Sequence, residues 1–164
     1  MKKTLIAVGA VVACLVIALV VLRVVGLDPR DRRPGLWLAG EVVTTPVSDW
    51  SFTDAYQTIF VQTSSWYGLA HSVTVSCTAY NGRLYLTAVY QPGQEFPRDR
   101  LWNRNVVRDP HVRLKIGSKV YPGTLVIVAD GAEKDAVLAA KARKYPRLAG
   151  TDKSRVHVFR VEPA

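Results

Sequence analysis

Three arginines near the middle of the chain, Arg98, Arg100 and Arg104, have the charge and spacing needed to hold a phosphate group. The planar guanidinium of arginine can donate two parallel hydrogen bonds to phosphate oxygens. The pattern predicts a helix over residues 98–108, whose free N–H groups would assist the first two arginines. Arg104 would lie on the same helical face as Arg100, four residues earlier. The alternative is a solvated basic surface, or one that faces anionic lipid headgroups.

A second set of polar side chains occupies alternate positions of a predicted strand. Ser72, Thr74 and Ser76 share one face of this strand, and Thr87 lies on the strand that follows. We call Ser72, Thr74, Ser76 and Thr87 the hydroxyl stripe. It could hydrogen-bond a ligand, or it could be the polar outer face of a sheet or the contact surface of a dimer.

The histidines and cysteines do not form a pattern that predicts a metal site or a disulfide. His71, His111 and His157 are far apart in the sequence, and neither Cys14 nor Cys77 belongs to a CxxC motif. We therefore expect no bound metal. The histidines are interpreted as structural or surface residues rather than acid–base catalysts.

The elements that must position these groups are predicted to be mainly β. The clearest strand is His71–Tyr80, in which apolar and hydroxyl-bearing residues alternate. Asn81-Gly82 predicts a tight hairpin after it, because a type I′ turn requires positive φ at both central residues. Further strands are predicted at residues 37–43, 57–63, 83–90, 111–116, 119–129 and 156–161. The pattern indicates a closed or partly closed antiparallel β-barrel of six or seven strands.

Two helices are predicted to flank this barrel. The first covers residues 98–108 and should end at Asp109-Pro110, because a proline disfavours helical geometry in the residue before it. The second covers residues 132–144. Asp130 is expected to cap the second helix, with Glu133 completing a capping box.

The N-terminal segment Thr4–Leu22 is apolar and carries no charge over 19 residues. At about 1.5 Å per residue such a helix nearly spans a hydrocarbon core of about 30 Å. We predict an uncleaved, single-pass transmembrane anchor over residues 1–26. A cleaved signal peptide and lipoprotein processing at Cys14 are the alternatives.

The positive charges beside this segment predict its orientation. The heavier basic flank is C-terminal, so the domain that follows is predicted to face the cytoplasm from the cell membrane. Residues 27–35, with two prolines, are interpreted as a polar linker, and residues 36–164 as the barrel domain. The flanking basic residues are Lys2 and Lys3 before the segment, and Arg23, Arg30, Arg32 and Arg33 after it.

The order of features from Pro97 to Ala132 resembles that of a known superfamily. A basic helix is followed by an Asp-Pro dipeptide, two β runs joined at a glycine turn, and an acidic-capped helix. The residues that carry this order are Pro97, Trp102, Asn105, Asp109-Pro110, Gly117 and Val120-Tyr121. The chain resembles the pyridoxamine 5′-phosphate oxidase-like FMN-binding split β-barrels over about residues 35–162. Its pattern is most similar to the deazaflavin-dependent nitroreductase branch.

The resemblance implies a cofactor, either FMN or deazaflavin, that carries the hydride chemistry while the protein binds and orients it. It also implies a homodimer. Arg98, Arg100 and Arg104 are the expected phosphate ligands, and Ser72, Thr74 and Thr87 would contact the ring edge or ribityl chain. Trp102 and Asn105 match the family pattern, although Trp102 could instead pack the helix onto the barrel. The resembled family has no catalytic triad, so the resemblance assigns no catalytic residue.

The predicted function is that of a membrane-anchored oxidoreductase that reduces a small acceptor such as a quinone-like or nitro compound. The alternative is an inactive split barrel that binds a cofactor or acts as a membrane interaction module. Thr87–Gln94 motivates this alternative, because it has one glycine where the resembled family has a Gly-rich stretch. The net charge of +9 favours anionic partners. Nucleic acid is disfavoured, because the strands lack a regular aromatic platform.

Overall fold

The alternating segments form seven strands in a computed structural model, which describes residues 2–148 and 150–164. The strands are β1 (Glu41–Val42), β2 (Thr58–Ser64), β3 (Ala70–Tyr80), β4 (Arg83–Val89), β5 (His111–Ile116), β6 (Lys119–Val128) and β7 (Val156–Pro163). The helices are α1 (Lys2–Val25), α2 (Leu101–Arg108) and α3 (Ala132–Lys144), with 3₁₀ turns at Ser51–Ala55, Pro146–Leu148 and Lys153–Arg155. The mainly β fold with flanking helices is confirmed.

Six of these strands close into an antiparallel barrel in the order β6-β5-β2-β3-β4-β7. Pairing of β6 with β7 closes it, with Val126 opposite Arg160. The short strand β1 adds to β6 in parallel, with Glu41 opposite Lys119. The predicted six or seven strands are thus confirmed, and the first is much shorter than its apolar sequence suggested.

The predicted hairpin at Asn81-Gly82 is present and fixes the register of β3 and β4. Asn81 has a φ of 48° and Gly82 a φ of 72°, as a type I′ turn requires. Tyr80 then lies opposite Arg83, and the pairing continues to Cys77 opposite Leu86.

The barrel interior is filled by the apolar residues of alternating strand positions. Val61, Leu86, Leu114 and Phe159 are fully buried there. Trp102 of α2 contributes to the same core. A second, smaller core lies between α3 and the outer barrel face and contains Tyr85, Val128, Val137, Val156 and Val158.

Helix α1 stands apart from these cores. Its segment Ile6–Val25 has a mean hydropathy of 2.9 and is 0% buried. This length and composition are sufficient to cross a bilayer, and they are also those of a signal sequence.

Both flanking helices begin differently from the prediction. Helix α2 starts at Leu101 rather than Arg98, because residues 97–100 form a turn in which Arg100 N–H donates to Pro97 O at 3.3 Å. The predicted cap of α3 by Asp130 is wrong. Gly131 occupies the cap position, and Asp130 pairs with Lys134 at 2.6 Å.

Residues 27–38 form a short hairpin, here called the N-terminal hairpin, that packs against the barrel. Leu27 and Trp37 are joined by a backbone hydrogen bond of 2.8 Å. Gly35 pairs with Ser72 of β3 through two backbone hydrogen bonds of 2.9 and 3.1 Å. Asp28 forms an ion pair with Lys115 of β5 at 2.5 Å. Residues 27–35 therefore pack against the barrel surface.

The close approach at Gly35 predicts the effect of adding one methyl group. A Cβ at this position would lie 2.1 Å from Leu27 O and 2.6 Å from Ser72 Oγ. We expect Gly35→Ala to destabilise the hairpin by about 1–3 kcal/mol and to speed tryptic cleavage after Arg30 and Arg32. Limited proteolysis of the full chain in detergent measures this. Gly150→Ala, where a Cβ meets nothing within 4 Å, is the control. Equal cleavage rates in both variants would contradict the packed hairpin.

Candidate functional site

The candidate site lies where β3 and β4 separate. On one edge, β4 pairs with β3 only as far as Leu86, and on its other edge it pairs with β7 as far as Val89. The first half of β3 pairs with β2 on one edge, and Gly35 is its described partner on the other, at Ser72. Because backbone groups alternate between the two edges of a strand, the backbone of Thr74 faces the same open edge as Ser72.

A cleft of about 380 Å³ opens at this edge. Three segments of the chain line it: the tip of the N-terminal hairpin, the first half of β3 and the start of α2. Its lining residues are Asp31, Arg32, Arg33, Pro34, His71, Val73, Thr74, Arg100, Leu101 and Trp102. The volume is within the range of small-molecule sites in proteins, towards its lower end.

Three polar atoms of the cleft-lining residues are buried without a hydrogen-bond partner in the described part of the chain. They are His71 Nδ1, Thr74 Oγ1 and Arg100 Nε. Buried polar atoms in proteins are nearly always hydrogen-bonded, so an unpaired set marks a place where a ligand can supply the missing partners. Burial lowers the pKa of His71, which favours its neutral form.

The side chain of Arg100 is held across the opening. Its Nη2 donates to Val89 O at the end of β4, and its guanidinium lies 5.2 Å from the centre of the Tyr90 ring. The Tyr90 hydroxyl in turn donates to Asn103 Oδ1 of α2 at 2.6 Å. Burial raises the pKa of Tyr90 to about 12, so this hydroxyl stays protonated at neutral pH. Arg100 is therefore a positioned cation at the edge of the cleft.

The other two predicted phosphate ligands lie elsewhere. Arg98 is 61% exposed and forms salt bridges with Glu95 and Asp99, both at 2.9 Å. The hydrogen bond from Arg98 lowers the pKa of Asp99 to about 2. Arg104 is exposed on α2 and does not line the cleft. Their assignment to a phosphate stays a prediction.

The residues of the hydroxyl stripe lie in different environments in the structure. Thr74 lines the cleft, whereas Ser72 is fully buried beneath Gly35, and its Oγ has no partner among the described residues. Thr87 Oγ1 lies 3.1 Å from Ser76 Oγ. Thr87 also accepts a hydrogen bond from Lys141 of α3, so this part of the stripe belongs to a helix-covered surface.

Trp102 and Asn105 hold α2 in the opening between the strands. The Trp102 ring is 5% exposed and packs on Phe159 with ring centres 5.2 Å apart, while also lining the cleft. Asn105 Nδ2 donates to Thr63 Oγ1 of β2 at 2.9 Å. The structure thus brings together Thr74, Arg100 and Trp102 from the predicted set.

The sequence did not identify the hairpin residues or His71 as parts of a site. Arg32 and Arg33 line the cleft only because the hairpin folds back onto β3. Their sequence signal, a basic segment rich in proline, equally fits a linker. Across the described residues, no group of three or more His, Cys, Asp or Glu side chains could hold a metal ion.

Comparison with solved structures shows the same barrel in other proteins. An F420-H2 dependent reductase, FDR-A, is 24% identical with a TM-score of 0.51, over 65% of this chain and 95% of that one. A Listeria innocua protein assigned as a pyridoxamine 5′-phosphate oxidase is 17% identical with a TM-score of 0.52, over 69% and 88%. A structure described as a domain-swapped dimer is 23% identical with a TM-score of 0.55, over 65% and 81%. No protein-family model and no curated protein sequence matches the chain.

These structures share the barrel fold of this chain. This chain has the split β-barrel fold of pyridoxamine 5′-phosphate oxidase-like proteins. The resemblance drawn from Pro97–Ala132 is confirmed at the level of this fold. At these identities the similarity establishes the split barrel and not a ligand.

The buried Tyr90 hydroxyl predicts how stability changes in alkali. Burial raises the pKa of Tyr90 to about 12 in the folded chain, above the usual tyrosine pKa of about 10, so only the unfolded chain releases this proton between those pH values. We expect stability to fall as pH rises from about 10 to about 12, by up to about 1.4 kcal/mol per pH unit from this residue. Urea unfolding of the full chain in detergent at several pH values measures the slope.

Tyr90→Phe should make the fall of stability with pH shallower, by up to about 1.4 kcal/mol per pH unit, which corresponds to one proton. It should also lower stability at neutral pH by about 1–3 kcal/mol, because Asn103 Oδ1 loses its partner. Tyr67→Phe, at an exposed position, provides the control. An unchanged slope in Tyr90→Phe would show that Tyr90 does not titrate in this way.

Proposed function

We propose that this split barrel is a membrane-anchored oxidoreductase that binds FMN or deazaflavin at the cleft and reduces a small acceptor. The observation that carries the proposal is the placement of Arg100, whose Nε is buried without a described partner beside the cleft. The reductase and oxidase names of two structural neighbours support the same class of chemistry.

The residues of the cleft suit the phosphate end of such a cofactor. Arg100 supplies a fixed positive charge, and Thr74 Oγ1 supplies a hydroxyl beside it. The first N–H groups of α2, which begins at Leu101, lack acceptors within the helix and add positive potential. When bound, the cofactor would supply the hydride chemistry. The protein's part is to hold the phosphate and to cover one side of the ligand with Trp102.

The proposal also includes a membrane anchor, a homodimer and a lipid-soluble acceptor. Helix α1 would place the barrel at the membrane surface, on the cytoplasmic side that the flanking arginines favour. A homodimer is supported by the neighbour described as a domain-swapped dimer. An acceptor that partitions into lipid, such as a quinone-like compound, would be delivered directly to a barrel tethered there.

Cofactor binding is tested on the full chain in detergent micelles by fluorescence titration with FMN and with oxidised deazaflavin. We expect saturable binding to one of them, weakened about 10- to 100-fold in Arg100→Gln, because a charge-assisted hydrogen bond is lost. Glutamine retains a donor for Val89 O, so the strand end should remain in place. Absence of binding to either cofactor would refute the proposal.

Two further arginine variants locate the binding site within the barrel. Arg83→Gln removes the same charge from the exposed end of the β3–β4 hairpin and should leave binding unchanged. Arg98→Gln tests the prediction for the turn before α2. If Arg98→Gln abolished binding and Arg100→Gln did not, the phosphate site would be assigned to that turn instead of the cleft.

The anchor is tested by intact mass and by fractionation. An uncleaved anchor predicts the mass of the complete chain in the membrane fraction, and removal of residues 1–26 should release the barrel from it. A mass that lacks the apolar segment would identify a signal peptide. A lipid-modified N-terminus at Cys14 would identify lipoprotein processing.

The second candidate function is a split barrel that binds a cofactor or acts at the membrane without catalysis. The segment Thr87–Gln94 favours it, because it carries Tyr90 and Pro92 where the resembled family has a glycine-rich stretch. Turnover separates the two candidates. Oxidation of reduced cofactor by a quinone or nitroaromatic acceptor supports the enzyme, whereas tight binding without turnover supports the inactive module.

A further inference from the structure

The buried face of α3 carries three lysines, and they differ in their partners. Lys134 pairs with Asp130 at 2.6 Å. Lys144 lies 3.6 Å from Asp54 and donates to Thr53 O at 2.9 Å. Lys141, between them in the sequence, is 4% exposed, and its described hydrogen bond is to a neutral hydroxyl, Thr87 Oγ1.

Lys141 is therefore a buried cation that lacks a described carboxylate partner. An ammonium group has three donors and no acceptor. Thr87 Oγ1 satisfies one donor and is itself fixed at 3.1 Å from Ser76 Oγ. Burial lowers the pKa of Lys141 to about 8, so its charged form is still the major one at neutral pH. A buried charge with unused donors is unfavourable unless another group supplies negative charge.

A cavity of about 230 Å³ adjoins this lysine, on the outer side of the barrel between α3 and the start of β7. Leu138, Ala142 and Val156 form its apolar wall, and Thr151 contributes a hydroxyl. Asp135 also lines the cavity, but its carboxylate is paired with Lys153 Nζ at 2.6 Å. The cavity shares no lining residue with the Arg100 cleft.

We propose that this cavity is a second ligand site, which binds the carboxylate or phosphate group of a small molecule through Lys141. Thr87 orients the ammonium group, and the apolar wall contacts the body of the ligand. Lys153 adds positive potential at the rim, although Asp135 offsets part of it. The site does not depend on the proposed redox function, because it uses different residues on another face of the barrel.

Binding is tested with the full chain in detergent micelles by calorimetric titration with inorganic phosphate and, separately, with acetate and benzoate. We expect saturable binding that weakens roughly 10- to 100-fold in Lys141→Met, since a hydrogen bond to a charged group is lost. Tighter phosphate binding identifies a phosphorylated ligand, and tighter carboxylate binding identifies an organic acid. No saturable binding to any of these anions would overturn the proposal.

The matched control is Lys119→Met, which removes one positive charge from the exposed β5–β6 turn. It should bind each anion as the unmodified chain does. An equal loss in Lys119→Met and Lys141→Met would show a general effect of net charge and would overturn the site. Lys141→Met should also unfold at a higher temperature than the unmodified chain in the absence of anions, because a buried unpaired charge is removed.

A measurement on the unmodified side chain keeps the test independent of any variant's folding. NMR of the full chain labelled with ¹³C at lysine Cε follows the titration of Lys141. The pKa is about 8 without a ligand and should rise when phosphate or a carboxylate binds, because the anion favours the charged form. A pKa that is unchanged at saturating concentrations of all three anions would overturn the proposal.

Discussion

The separation of β4 from β3 is the constraint on which the cleft depends. Beyond Leu86 the strand keeps β7 as its partner, and Tyr90 N–H continues this attachment by donating to Arg155 O at 2.9 Å. The first half of β3 is left with an open edge. The unpaired N–H and C=O groups of such an edge can pair with another chain, so native proteins cover or pair the edge. The chain covers it with the N-terminal hairpin and α2, and the cleft is the space between these two covers.

Polar contacts, as well as the apolar packing of Trp102, keep α2 in this position. Asn105 binds Thr63 of β2, and Thr63 Oγ1 donates to His71 O of β3 at 3.1 Å. Asn103 accepts from Tyr90 at the end of β4. Helix α2 is thus hydrogen-bonded to β2, to β3 through Thr63, and to Tyr90 just after β4. Because these groups are buried, removing one of them leaves its partner with neither a hydrogen bond nor water. This cost favours a single position of α2.

The barrel itself could be predicted because its signals are local. Alternation in β3, the Asn81-Gly82 turn and the Asp109-Pro110 helix end act within a few residues, and the structure contains all three. The site was only partly predictable. Thr74, Arg100 and Trp102 meet at the cleft, but their meeting depends on where β4 leaves β3, which follows from long-range pairing.

The dependence on long-range contacts also explains the prediction that failed and the groups that were missed. Asp130 matches a helix-capping pattern, but its carboxylate pairs with Lys134, one turn into α3. The segment 27–35 reads as a linker because its prolines and charges oppose regular structure. Its packing depends on contacts with Ser72 and Lys115, far along the chain. Likewise, a lysine without a carboxylate partner can be recognised only after the helix is placed on the barrel.

The N-terminal hairpin also limits the distance between the end of α1 and the cleft. Asp31, the first cleft-lining residue, follows the end of α1 at Val25 by six residues, a reach of at most about 22 Å for an extended chain. The hairpin folds back on itself, which shortens this distance. In the proposed topology the cleft cannot move away from the headgroup layer on a flexible stalk, as a long tether would allow. The barrel would work at a fixed height above the bilayer, where molecules with one polar end and one lipid-soluble end are concentrated.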